Sequence, residues 1–270
     1  MSVKFYQRSI TVNGKTFPSK FFVGDPSDFV VEPTKIANST DSGSNATTWG
    51  SQGVYGTNAS FFDEAGFMTA LHVYNNSNMV DKNGNNLEGY NNRETAGDDD
   101  SALDFLYYTG SSVGLKTKTP SWTPTSNLGI TNMVWGIGGF NLLLSNTSIN
   151  SESTFTTALK NYYPSIKVNH DGTTSRTSIG YRGATDSKIV LAACFGPNFS
   201  YINGPTFYDL RAIMNGLGCT IALSLDGSSC TKVSYKQGGV NQGIDNSSRQ
   251  TWCRMRLKVS AADSTDWTGV

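Results

Sequence analysis

The alternation of apolar and polar positions divides the chain into short strands joined by turns, with one clear helix in the last third. Residues 3–12 are β-prone, and Asn13-Gly14 after them is a strong hairpin turn. Residues 15–23 supply the partner strand, and Pro18 places it at a sheet edge. Gly24-Asp25-Pro26 ends the hairpin, and residues 29–32 form a short third strand. Residues 38–48 are polar and read as a loop. Residues 54–62 read as a buried strand running into a polar turn at Asp63. Residues 75–100 are the most polar stretch and read as a long surface excursion. Residues 133–144 read as one or two buried strands with a glycine-rich bend.

The last third carries the sharpest pattern. Residues 177–181 and 188–195 read as two strands around the polar turn 183–187. Thr206 caps a helix, with Asp209 three residues on. Phe207, Leu210, Ile213, Met214 and Leu217 make its apolar face, and Gly216 and Gly218 end it. Residues 219–225 form a short apolar strand, from whose end Asp226-Gly227-Ser228-Ser229 emerges. Ligands of α/β folds gather at such strand ends. Residues 252–259 read as a closing strand. The predicted fold is α+β: one domain over residues 1–270, a mixed central β-sheet and few helices, with 206–218 the only firm one.

Composition narrows the function classes. The 270 residues carry 21 Lys+Arg against 21 Asp+Glu, and charged residues are only 16% of the chain. That balance argues against a phosphate-neutralising nucleic-acid binder and against a charged disordered chain. With 14 Phe, 12 Tyr and 5 Trp there is enough apolar material for a core. No apolar run reaches membrane-helix length, and the N-terminus shows no signal peptide. The polar residues are unusual in kind: 24 Asn outnumber Lys and Arg together, and Ser, Thr and Gly fill much of the rest. Such amide- and hydroxyl-rich surfaces suit extracellular or virion proteins and sugar contacts. Synthesis in the cytoplasm, with virion association or release by lysis, fits the missing signal. Homo-oligomer contacts fit the virion setting.

Candidate chemistry is sparse. Cys194, Cys219, Cys230 and Cys253 show no C-x-x-C spacing and read as buried thiols. The two histidines, His72 and His170, leave little for a triad or a metal site; His72 reads as structural and His170 as exposed. No cofactor or metal is expected. The run Asp98-Asp99-Asp100 does not follow the EF-hand spacing and reads as a solvated acidic loop. What remains is carboxylate, amide and arginine: Asn58, Asp63, Arg176, Asp226 and Arg249. Paired carboxylates serve glycoside hydrolysis, and arginine is the best fork for a phosphate.

The combination of these residues resembles the phosphodiester glycosidase family. Asn58-Ala59-Ser60-Phe61-Phe62-Asp63 is similar to its N-G-G-F-F-D element, and Ser175-Arg176-Thr177-Ser178-Ile179-Gly180 to its P-R-T-A-I-G element. Residues 206–227, ending Ala222-Leu223-Ser224-Leu225-Asp226-Gly227, resemble T-L-x-E-L-A…A-L-N-L-D-G. Arg249 matches a late arginine, and residues 133–144 resemble the glycine-rich middle strand. The resemblance spans about residues 18–260. The chain departs from the pattern where the family's D-G-G-G-S-S is Asp226-Gly227-Ser228-Ser229-Cys230-Thr231. It departs also at Ala59, Ser60, Ser175 and Ser224, and at Phe195-Gly196 in place of D-G. These positions surround the expected pocket and bear on substrate choice.

The resemblance implies a glycosidase that releases sugar from a sugar 1-phosphodiester of the N-acetylglucosamine type or from a phosphate-linked surface glycan. Asp63 and Asp226 are its candidate nucleophile or base. Asn58 holds a sugar hydroxyl or orients a carboxylate, and Arg176 or Arg249 binds phosphate. The backbone N–H groups of Gly227, Ser228 and Ser229 are a second phosphate cradle. The alternative is a glycan-binding or structural phage-tail component on the same fold. A third reading, an intracellular protein acting on a sugar nucleotide, has no phosphate loop behind it.

Overall fold

A computed structural model describes residues 3–33, 46–59, 61, 70–78, 102–119, 123–164, 170–183, 186–245, 249, 251 and 253–258. The Asn13-Gly14 turn joins β1 (Lys4–Val12) to β2 (Lys15–Gly24) in register, Val12 opposite Lys15. β3 (Phe29–Pro33), α1 (Ala46–Ser51), β4 (Gly56–Asn58), β5 (His72–Tyr74) and β6 (Ser77–Asn78) follow. Next come β7 (Leu103–Tyr108), β8 (Val113–Thr119), β9 (Trp135–Asn141), α2 (Glu152–Tyr162), β10 (Arg176–Tyr181) and β11 (Ile189–Cys194). The chain continues through α3 (Phe207–Gly216), β12 (Ile221–Ser224), β13 (Lys232–Gln237), β14 (Val240–Asp245) and β15 (Cys253–Leu257).

The fold is α+β, and every strand pairing among the described residues is antiparallel. Ten strands form one sheet in the order β1-β2-β11-β10-β12-β9-β5-β6, with β7 and β8 joined through β9. Five form a second sheet, β14-β13-β4-β15-β3. Period-2 alternation splits each central strand between two cores. On β11, Leu191 and Ala193 face the second sheet together with Phe5, Phe22, Ile179, Leu223 and Met255. Val190, Ala192 and Cys194 face the opposite way, against Phe155 and Leu159 of α2 and Leu210 and Met214 of α3. No helix among the described residues is long and apolar enough to cross a membrane.

Four expectations change. β2 lies between β1 and β11 rather than at an edge. Pro18 is tolerated because the β2–β11 ladder runs only from Ser19 to Gly24; beyond it Pro18 only accepts, from the Phe195 N–H at 2.9 Å. α2 is a second regular helix. Its sequence, ESTFTTALKNY, is rich in β-branched threonine and buries only Phe155 and Leu159, so its periodicity is faint. Ser151 nonetheless caps it, accepting from the Thr154 N–H. Residues 46–51, the last of which lie beyond the expected loop, form α1. Among the described residues of the expected strand over 54–62, only β4 is a strand. The acidic run Asp98-Asp99-Asp100 lies outside the described residues.

Candidate functional site

β12 runs through the middle of the large sheet, between β10 and β9, and points its end at the site. Leu223 and Leu225 anchor it in the inter-sheet core, and the Leu225 N–H donates to the Thr177 carbonyl at 2.8 Å. Asp226 is the first polar residue past this anchor. The chain then bends against Ser175: a Cβ on Gly227 would lie 2.8 Å from the Ser175 carbonyl oxygen, so only glycine fits. Ser228 takes φ 56 and donates its N–H to that carbonyl at 2.7 Å. The Ser175 hydroxyl donates in return to the Ser228 carbonyl at 2.8 Å. A single 3-10 turn, Ser228–Cys230, brings the Cys230 thiol back to hydrogen-bond the Asp226 carboxylate.

Burial of Asp226 pushes its carboxyl up to about 6, against the opposing pull of Cys230, Arg249, the Gly227 N–H and Arg176. The Gly227 N–H donates to Asp226 Oδ1 at 2.9 Å. Cys230 is itself 1% exposed, and burial together with the neighbouring carboxylate drives its thiol well above the usual range. The site therefore holds a carboxyl that titrates near neutrality, under the influence of two arginines, at the end of a central strand.

Asn58 is the joint of this construction. Its Nδ2 donates to the Asp226 carbonyl at 2.8 Å and to the Ala59 carbonyl at 3.1 Å. Its Oδ1 accepts from Thr177 Oγ1 at 2.7 Å and from the Lys232 N–H at 2.9 Å. Both amide hydrogens and both lone pairs are used, and the residue is 1% exposed. It ties β4, β10, β13 and the end of β12 together and fixes where Asp226 sits. β4 can lie this close because Gly56, at φ +146, packs against the Met255 carbonyl; a Cβ there would stand 2.1 Å from that oxygen.

Arg176 is 6% exposed. Its Nε donates to the Pro205 carbonyl at 3.2 Å and its Nη2 to the Gly172 carbonyl at 2.7 Å; the guanidinium lies 4.4 Å from the Phe207 ring centroid. These contacts fix the plane of the cation next to the α3 N-terminus, where Phe207 N–H donates to the His170 carbonyl at 2.9 Å. His170 is half-buried rather than exposed. Arg249 is exposed, and its charge also favours the ionised form of Asp226.

The structure thus gathers Asn58, Arg176, Asp226, Gly227, Ser228, Ser229 and Arg249. Asp63 lies outside the described residues. Two details differ from expectation. The amides of Gly227 and Ser228 turn inward, to Asp226 Oδ1 and the Ser175 carbonyl, so they do not form an open anion cradle. Asn58 has no hydrogen-bonding capacity left for a sugar, which leaves the orienting role. Sequence reading missed Thr177, Cys230 and Lys232 as members of the site. Cys230 carried one signal, its place four residues after Asp226; the other two become neighbours of Asn58 only through strand pairing. Cavities of about 330 Å³ between β1 and α3 and about 310 Å³ beside Tyr107 contain none of these residues.

His72 forms a separate buried pair. Its Nδ1 donates to the Ala70 carbonyl at 2.7 Å, which leaves Nε2 to accept from the Cys253 thiol at 3.5 Å. Burial lowers the imidazole to about 4, so it is neutral at physiological pH. All four cysteines are buried, and none forms a disulfide.

A family model described as phosphodiester glycosidase matches residues 51–256. Comparison with curated proteins finds no match. Among solved structures, the fold is similar to the zebrafish N-acetylglucosamine-1-phosphodiester alpha-N-acetylglucosaminidase catalytic domain, auto-inhibited by its pro-peptide. That match has a TM-score of 0.57 and 12% identity, covering 96% of this chain and 83% of the other. It is also similar to a hypothetical protein from Synechocystis, with a TM-score of 0.52 and 16% identity, covering 95% of this chain and 62% of that one. At these identities the likeness is one of fold.

Proposed function

This chain belongs to the phosphodiester glycosidase family, a family of hydrolases, and from that premise we propose that it hydrolyses a sugar 1-phosphodiester to free sugar and a phosphomonoester. One observation carries the reading: Asp226 stands at the end of β12 under the charge of both Arg176 and Arg249, its carboxyl at about 6. A phosphodiester placed against the arginines brings its anomeric carbon beside that carboxylate. Ionised Asp226 takes the proton of a water that attacks this carbon, or attacks it itself to form a glycosyl ester that a water then hydrolyses to free sugar. The C1–O bond breaks, and the electron pair leaves with the phosphate, whose charge the arginines hold. A phosphate is a good leaving group, so little acid help is needed. Asp63 is the second carboxylate of this reading. The sugar is of the N-acetylglucosamine type or belongs to a phosphate-linked surface glycan.

The roles divide by exposure. Arg249 is exposed to incoming substrate, whereas Arg176 is pre-oriented by its carbonyl partners and Phe207. Asn58 acts through Asp226 as a positioning residue. The test is release of sugar from a panel of sugar 1-phosphodiesters, N-acetylglucosamine first, with Asp226→Asn alongside. Turnover by the wild type, reduced about a thousandfold in the variant, supports the assignment. Because the ionised form reacts, kcat/KM should rise through an apparent pKa near 6. A second reading, glycan binding without turnover, is favoured by the inward-turned amides of Gly227 and Ser228. A folded wild type that binds these diesters and releases nothing would decide for it.

A further inference from the structure

The mechanism leaves one buried cation unused. Lys20 is 1% exposed and sits on β2, opposite Gln7 of β1 and Ala193 of β11. Residues paired in this way share a face, and Ala193 lies in the core shared by the two sheets. The next residue of that row is Thr177 of β10, which donates to Asn58. Lys20 Nζ donates to Gln7 Oε1 and lies 4.1 Å from the Tyr235 ring centroid, 5.0 Å from that of Phe199 and 5.7 Å from that of Phe5. Among the described residues no carboxylate pairs with it. Burial lowers its ammonium to about 8, so the charge is present at neutral pH, and the fold gives up stability as pH falls through 8. A methionine of similar length would carry no such cost.

Phe199 is where that charge acts. It takes φ 59, a conformation that a bulky side chain adopts only when its surroundings enforce it. Its ring is held by the Lys20 ammonium and by the Phe195 ring, 5.6 Å away. Phe199 belongs to the segment from β11 to α3, which closes tightly on itself. Gly196 N–H donates to the Ser200 carbonyl at 2.8 Å, and a Cβ on Gly196 would lie 1.9 Å from the Ile202 carbonyl oxygen. So close a turn passes a shift of one residue to the next. Two residues on, the Tyr201 carbonyl accepts from the Ser175 N–H at 2.8 Å and from Thr174 Oγ1 at 2.9 Å. The Pro205 carbonyl accepts from Arg176 Nε at 3.2 Å. Ser175 in turn accepts, at its carbonyl, the Ser228 N–H of the Asp226 loop.

We propose that Lys20 is a positioning residue for Arg176: its ammonium holds the Phe199 ring, and the segment that carries Phe199 holds Ser175 and Arg176 through the Tyr201 and Pro205 carbonyls. Loss of the charge lets the ring leave its strained conformation, and the guanidinium loses a carbonyl that sets its plane. The groups that face the ammonium are Phe5 and Gln7 on β1, Ala193 on β11, Tyr235 on β13 and Phe199. Of these only Tyr235 titrates, and burial raises its phenol, so it stays neutral while Lys20 titrates. The role rests on the phosphodiester reading above for the ligand that Arg176 meets, though not for the link itself.

The experiment uses the Asp226→Asn protein, in which the site carboxyl no longer titrates, and measures binding of the methyl phosphodiester of N-acetylglucosamine by calorimetry below and above pH 8. Affinity should fall about tenfold across that interval. Lys20→Met in this protein should bind about tenfold more weakly below pH 8 and show no further fall above it, with a melting temperature no lower than its parent's. Phe199→Leu should give the same loss, and the double variant no more than either alone. Unchanged affinity in Lys20→Met, or losses that add in the double variant, overturn the proposal. A loss that comes with a lower melting temperature assigns Lys20 to structure alone and overturns it too. If the diester binds at neither pH, the phosphodiester reading fails, and the link is judged by hydrogen exchange at the Ser175 amide. Protection that drops in both Lys20→Met and Phe199→Leu upholds it; protection unchanged in either rejects it.

Discussion

Asp226 sits in an environment that makes its charge expensive. Its folded carboxyl titrates at about 6, above the ordinary value of 3.8, because burial outweighs the arginines. A carboxyl raised in the folded state contributes its stability below pH 3.8 and loses it as pH rises through 6. Asp226→Asn should therefore stabilise the fold by up to about 3 kcal/mol above pH 6 and change little at pH 4. Melting temperatures of both proteins at the two pH values check this; an equal shift at both rejects the electrostatic account. The same carboxyl should respond to its thiol neighbour. Cys230→Ser supplies a stronger donor to the ionised form and should move the rising limb of the rate profile down by about half a unit. Both effects belong to single residues because each changes one charge or one donor in a fixed frame.

At the scale of elements, the frame depends on a few joints. Asp209 is the third residue of the capping box of α3, its Oδ2 accepting from the Thr206 N–H at 3.2 Å. It also accepts from Asn13 Nδ2 at 3.0 Å and Lys15 Nζ at 3.1 Å, which fastens the β1–β2 turn to the helix. Asp209→Ala breaks the cap and both ties and should cost about 2–4 kcal/mol in chemical denaturation. The helix and its cap were legible in the sequence, as a Thr206–Asp209 pair ahead of an apolar stripe. The hairpin too was legible, from Asn13-Gly14. Their union was not, because 194 residues separate Lys15 from Asp209 and no local periodicity encodes that contact. α2 escaped for a different reason: its threonines weaken the helical signal, and packing on α3 supplies what propensity does not.

Across the whole molecule, two sheets share one core, and His72 with Cys253 bridges them from β5 to β15. The imidazole is lowered from 6.5 to about 4. A histidine held neutral in this way contributes stability above pH 6.5 and loses it as pH falls from 6.5 to 4, about 3 kcal/mol in all. His72→Gln should flatten the acid limb of stability over that interval. An unchanged limb would assign acid sensitivity to other groups. A buried bridge of this kind joins the sheet that ends in Asp226 to the sheet that carries Asn58, so acid should loosen the site as well as the fold.

By itself the sequence determined the local devices: the hairpin turn, the α3 cap, the apolar strands β10, β11 and β12, and the order of Asn58, Arg176, Asp226 and Arg249 that identifies the family. These rest on short-range backbone preference and on residue type, which a one-dimensional pattern records. Only the tertiary structure decided the rest. It placed β2 inside the sheet, spent the Asn58 amide on four partners from four segments, turned the Gly227 and Ser228 amides inward, and brought Cys230 and two arginines to one carboxyl. Those outcomes depend on strand register and on burial, both of which exist only once distant segments have packed.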